Sequence, residues 1–251
     1  MTDRYLEDKF LKDLETACYQ VDCHEQIRPS AFLDLAQSMA VYGADRLHFG
    51  DEQLRPYGCT WVLARQHVRF ERPVSHREPC RILTWHKGLQ GLFFIRDYQL
   101  LGADGQPSVN STSSWVVMNI AERRVVRPDF LSEFASMDPQ SPDDAIAEPA
   151  AKVGLPRESE LTLIGTHKVR RSDVDYHLHA NNVKYTVWAM DALPEDVVYH
   201  KKVQELTVNF NREARPGETV ELWHALAPDG AHIVEGRVED RQVFIERLVF
   251  E

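Results

Sequence analysis

The chain has 251 residues, enough for one large domain or two of common size, and either would bury a substantial core. Its hydrophobic and charged fractions, 43% and 27%, are those of an ordinary globular protein and set aside disordered, collagenous and coiled-coil classes. A formal net charge of -10 argues against nonspecific nucleic-acid binding and means that any acidic partner must find a local basic patch.

The first residues, MTDRYLEDKFLKDLE, alternate charge with isolated apolar side chains, and no run of about 18 apolar residues follows. Neither a signal peptide nor a membrane span is expected. Cys18, Cys23, Cys59 and Cys80 show no C-x-x-C pairing, which argues against a zinc cage or disulfide framework and for a reducing, cytoplasmic setting. Cys18 to Cys23 reads as a first strand. Pro29 and Ser30 then start a helix whose Phe32, Leu35, Ala36, Met39, Ala40 and Gly43 share one face. Strands are expected at Trp61 to Glu71, Cys80 to Lys87, Leu92 to Leu101 and Val109 to Ile120, with turns at Pro73, Gly91 and Gly102 to Gly105.

From about Asp129 to Glu160 the chain is rich in Pro, Asp, Glu, Ser and Ala and follows neither hydrophobic period, as a surface linker would. Beyond it the earlier order returns. Thr162 to Arg170 reads as a strand, and a helix from about Asn182 turns Tyr185, Trp188, Ala189 and Ala192 inward before Pro194. Strands follow at about Val203 to Arg212, Thr219 to Ala227, Ile233 to Val238 and Gln242 to Phe250. The best internal match sets Val68-Arg69-Phe70-Glu71-Arg72-Pro73-Val74 over Val208-Asn209-Phe210-Asn211-Arg212-Glu213-Ala214, at equivalent places in the two strand orders. One long helix wrapped by an antiparallel sheet, made twice, is an α+β double (tandem) hot-dog. The expected division is an N-terminal repeat over 1–130, a linker over 131–160 and a C-terminal repeat over 161–251.

Chemistry-bearing residues concentrate in the second repeat. Between its first strand and its helix lies a polar loop with Asp173, Asp175, His177 and His179. The first-repeat passage Asp22 to Ser30 shows no comparable cluster, and Pro73 stands where the second repeat has Glu213. Only one repeat therefore looks equipped for acid–base work. Taken alone, Asp173 and Asp175 are ordinary capping or turn residues. His177 and His179 have a strand-like H-x-H spacing, but no third metal ligand is indicated nearby.

The run R-R-S-D-V-D-Y-H-L-H-A-N-N-V-K-Y-T-V-W, Arg170 to Trp188, resembles the active-site signature of plant and bacterial acyl-acyl-carrier-protein (acyl-ACP) thioesterases. L-T-V-N-F-N-R-E-A, Leu206 to Ala214, is similar to their second catalytic strand, and W-V-L-A-R-Q-H-V-R-F and S-S-W-V-V-M-N extend the likeness over nearly the whole chain. The resemblance implies hydrolysis of a fatty acyl-ACP thioester without a cofactor. It places the family's acidic residue on Asp175, its histidine on His179 and its glutamate on Glu213. His177 takes the place of the family asparagine, and Ala214 stands where plant members often carry a cysteine, leaving no thiol nucleophile there.

Thioester hydrolysis needs an activated water, a polarised carbonyl and a tolerated thiolate. Glu213 is the expected base or water-positioning group, Asp175 orients a neighbour, and His177 or His179 donates a hydrogen bond or moves a proton. The backbone N–H groups of Asn182 and Val183, at the positive end of the helix dipole, are the oxyanion-hole candidates. Phe32, Met39, Trp61 and Trp115 are candidates for lining an acyl tunnel, although aromatic residues at such spacings are more often plain core. The pair Arg170 and Arg171 adjoins the active loop and is the best candidate for docking an anionic carrier protein. Rival readings are an acyl-coenzyme A thioesterase and a catalytically silent acyl-binding protein; a monomer and a homodimer are both compatible with the sequence.

Overall fold

Runs rich in β-branched and aromatic residues, broken by Gly and Pro, build the sheet of a first unit, Met1–Ala150. In the computed structural model, which describes residues 3–6, 8–131, 138–156 and 160–251, its strands are β1 (Asp3–Leu6), β2 (Lys9–Glu15), β3 (Cys59–Phe70), β4 (Pro79–Gln90), β5 (Phe93–Leu101), β6 (Pro107–Asn119) and β7 (Arg124–Val125). They pair antiparallel in the order β1-β2-β4-β5-β6-β3, with β7 on β6.

Between β2 and β3 run the long helix α1 (Pro29–Arg46) and the short α2 (Asp51–Leu54). Pro29 occupies the first turn of α1, where its missing N–H costs no hydrogen bond. Phe32, Ala36, Met39, Ala40 and Gly43 are buried as expected, while Leu33 is buried and Leu35 only half so. The glycine has its own reason. A Cβ at Gly43 would run into the Arg96 guanidinium, which lies buried against α1 and donates to Thr84 Oγ1 at 3.2 Å.

The expected strand at Cys18 to Cys23 is instead a 3-10 turn at Cys18–Gln20 followed by a tight hairpin. Local side chains outcompete a ladder there: Gln20 Oε1 accepts from the Ala17 amide at 2.9 Å and Asp22 Oδ1 from the His24 amide at 2.8 Å. The strand that does precede α1 is β2, hidden in the sequence by its charges. Phe10 and Leu11 are its buried residues.

Ala151–Glu251 forms a second unit. Its strands β8 (Thr162–Lys168), β9 (Val203–Phe210), β10 (Thr219–Leu226), β11 (His232–Val238) and β12 (Arg241–Phe250) pair antiparallel in the order β9-β12-β11-β10-β8. Helix α3 (Asn182–Ala192) stops before Pro194, which caps the short α4 (Glu195–Val198). With 11 residues, α3 is too short to persist on propensity alone. Burial of Val183, Tyr185, Trp188 and Ala189 holds it, each large apolar side chain contributing roughly 1.5–3 kcal/mol. Tyr185 stacks on Phe244 at 5.0 Å and meets Trp188 edge-on at 5.3 Å.

Of the expected linker, 132–137 and 157–159 lie outside the described residues. The segment 138–150 is not a loose surface crossing but packs along β4 and β5 of the first unit. Trp85 Nε1 donates to Asp143 O at 2.8 Å, the Ala145 amide donates to buried Asp97 Oδ2 at 2.8 Å, and Lys87 pairs with Asp144 at 2.7 Å. Several of these bonds use the segment's backbone, so the contacts leave no hydrophobic period in the sequence.

Candidate active site

The polar loop leaves β8 through a 3-10 turn, Arg171–Asp173. Asp173 Oδ2 accepts from the Arg170 amide at 2.8 Å and lies 2.9 Å from His167 Nε2, whose ring stacks on Trp188 at 4.4 Å. Burial works to raise the Asp173 carboxyl, but the His167 and Arg170 hydrogen bonds outweigh it and hold the group below the usual carboxylate range. Asp173 therefore anchors the loop to α3 from below.

Next comes a hairpin closed by the Val174–Ala180 bridge. The Asp175 amide donates to His179 O at 3.0 Å, the Leu178 amide to Asp175 O at 3.1 Å, and the His177 amide to Asp175 Oδ1 at 2.9 Å. The turn forces Leu178 to φ +63°, unfavourable for a side chain with a Cβ. Asp175 thus holds the His177 backbone by an Asx turn. Tyr176, His177 and Leu178 form an exposed tip, with the His177 ring set against Tyr176 at 4.0 Å.

His179 points the other way. Its Nε2 lies 3.3 Å from Glu213 Oε2, with the two side chains 32% and 35% exposed: open to a substrate yet partly shielded from bulk water. Two buried bonds bring these sequence-distant residues together. The Ala180 amide donates to Ala214 O at 2.9 Å, and the Ala214 amide donates to Tyr185 Oη at 2.9 Å. Arg241 donates to Glu213 O from the adjoining strand.

At the start of α3, Asn181 is the N-cap. Its Oδ1 accepts from the Val183 amide at 3.0 Å, and its O accepts from the Lys184 amide at 2.9 Å. Val183 is therefore removed from the oxyanion-hole candidates, because its N–H is already used by the cap. The Asn182 N–H meets no acceptor among the described residues and remains available at the positive helix end.

Arg170 and Arg171 are exposed at the base of the loop. In the first unit Phe32 and Met39 are buried, and Trp61 and Trp115 are partly buried against the Phe49, Phe94 and Val117 cluster. Trp61 donates to Phe49 O at 2.8 Å and Trp115 to Ser113 Oγ at 2.7 Å, so both indoles are fixed by hydrogen bonds as well as packing. Among the described residues, no three His, Cys, Asp or Glu side chains are grouped as metal ligands would be.

The first unit carries the same hairpin. There the Asp22 amide donates to Gln26 O at 2.9 Å, the His24 amide to Asp22 Oδ1 at 2.8 Å, and Glu25 sits at φ +57°. An Asp and a His are therefore present at matching places in both hairpins. What the second unit adds is His179 in place of Gln26, Asn181 in place of Arg28, Tyr185 in place of Phe32 and Glu213 in place of Pro73.

The family model described as acyl-ACP thioesterase N-terminal domain matches residues 7–134, and that described as acyl-ACP thioesterase C-terminal domain matches residues 157–242. Oleoyl-acyl carrier protein thioesterase 1, chloroplastic, of Arabidopsis thaliana is 26% identical over 217 residues, 81% of this chain and 60% of its own length. Palmitoyl-acyl carrier protein thioesterase, chloroplastic, of Cuphea hookeriana is 27% identical over 209 residues, 72% of this chain and 48% of its own. The chain thus spans about half to three-fifths of the length of these relatives. In structure it is similar to an acyl-ACP thioesterase from Bacteroides thetaiotaomicron (TM-score 0.81, 19% identity, 97% of this chain and 98% of that one). It is equally similar to the 12:0-ACP thioesterase from Umbellularia californica (TM-score 0.82, 18% identity, 99% of each chain), likenesses that show the fold.

Proposed function

Because the chain belongs to the acyl-ACP thioesterase family, we propose that it hydrolyses the thioester of a fatty acyl-ACP and releases the free fatty acid. The observation that carries this reading is the half-open His179–Glu213 pair beside the start of α3, present in one unit and replaced by Gln26 and Pro73 in the other. The matching hairpins and strand orders support a tandem hot-dog in which the second repeat does the chemistry. The first repeat, with its Phe32, Met39, Trp61 and Trp115, is assigned the acyl chain.

In the proposed reaction Glu213 takes a proton from water as the water oxygen attacks the thioester carbonyl carbon. The developing oxyanion is met by the Asn182 N–H and the helix dipole. Collapse breaks the C–S bond, and the thiolate leaves with a proton delivered through His179. Asp175 acts by shaping the hairpin. With a net charge of -10 on the chain, Arg170 and Arg171 offer the local positive patch that an acidic carrier needs.

A panel of acyl-ACP substrates of graded chain length, run beside acyl-coenzyme A of the same lengths, tests the reading. Fatty-acid release with kcat/KM favouring the carrier-linked series is expected. Equal or better turnover of the coenzyme A series would reassign the thiol carrier, and no release from either would sink the hydrolase reading.

A further inference from the structure

The residue next to Glu213 is held by a hydroxyl that the unarmed unit lacks. Tyr185 Oη accepts the Ala214 N–H at 2.9 Å, and the tyrosine is almost fully buried. Burial pushes its phenol up to about 12, with the Ala214 amide working against the shift and the nearby Glu213 charge adding to it, so the hydroxyl stays protonated across the working range. Its ring is fixed on three sides, by Phe244 at 5.0 Å, Trp188 at 5.3 Å and Phe210 at 6.1 Å. A rigid acceptor therefore grips the backbone one residue beyond the carboxylate.

At the matching place the first unit has Phe32, with its ring edge-on to Phe70 as Tyr185 sits beside Phe210. That unit carries Pro73 and buried Val74 where the second has Glu213 and Ala214. The ring is common to both helices; the hydroxyl occurs only where there is a carboxylate to aim. Packing alone does not require it.

We propose that Tyr185 is a positioning residue for the hydrolysis, fixing Glu213 opposite His179 through the Ala214 amide. This rests on the reading of Glu213 as the water-activating group. Without the hydroxyl, the Ala214 N–H loses its partner and the Glu213 backbone is free to shift, and displacements of about 1 Å in such groups cost on the order of 10²-fold in rate.

The test is Tyr185→Phe, which keeps all three ring contacts, measured on acyl-ACP beside Glu213→Gln and the double variant. A kcat lowered about 10- to 100-fold with KM within about twofold is expected, and the double variant should be no slower than Glu213→Gln alone, since the hydroxyl acts through that carboxylate. A purely structural role would lower the melting temperature of Tyr185→Phe and leave kcat native, or give losses that multiply in the double variant; either result overturns the proposal. Native turnover in Glu213→Gln would instead overturn the assignment of the base, which separates the two failures.

Discussion

Glu246 on β12 is fully buried in the second unit, with Oε2 accepting from Thr186 Oγ1 of α3 at 3.0 Å and Oε1 without a hydrogen-bond partner. Burial pushes its carboxyl up to about 8 from an ordinary 4.5, against the opposing pull of the Thr186 bond. The folded protein holds the proton that the unfolded chain gives up, so the stabilising linkage is complete below about pH 4.5 and is lost as pH rises through about 8. Retaining that proton is worth about 5 kcal/mol in all, and about 3 kcal/mol of it is lost between pH 5 and 7. Glu246→Gln keeps the shape and a hydrogen-bonding oxygen but carries no ionisable proton. Paired thermal melts at pH 5, 6, 7 and 8 should therefore show the variant gaining steadily on the wild type, by about 6–12 °C between pH 5 and 7. A difference in melting temperature that stays constant with pH would refute the burial of an un-ionised carboxylic acid here.

Two further expectations concern the loop. His177→Asn should retain activity within about threefold, because the His177 ring packs on Tyr176 at the exposed tip, away from the proposed reacting pair of His179 and Glu213; loss of fatty-acid release comparable to Glu213→Ala would show that the imidazole turns inward during the reaction. Arg170→Ala combined with Arg171→Ala should raise KM for acyl-ACP several-fold and flatten its salt dependence while leaving kcat near native; an unchanged salt profile would remove these residues from the docking surface.

Much of this candidate site was legible in the sequence because its proposed residues are close together or lie at a repeat-matched position. Asp175, His179 and Asn182 fall within one loop and the helix it starts, and Glu213 is exposed by alignment against Pro73. What escaped depends on backbone atoms or on distance along the chain. The Asn181 cap withdraws the Val183 N–H, and an amide leaves no trace in a residue pattern. The Tyr185–Ala214 bond joins a helix to a strand end, so the tyrosine reads as one more inward-facing aromatic. The first-unit hairpin was hidden because Asp22 and His24 alone are too few to align, although the backbone repeats bond for bond. In the fold, the helices and long strands follow their periods, whereas Cys18 to Cys23 departs from the expected strand because side-chain bonds to the backbone override strand propensity there.

The proposed role of Glu213, held against His179, is to activate water for thioester hydrolysis. Its most direct measurement is single-turnover release of free fatty acid from acyl-ACP by the wild type and by Glu213→Ala. Robust release by the wild type and a rate lowered at least 10²-fold in the variant, with acyl-ACP binding retained, are expected. Near-native release by Glu213→Ala would contradict that role.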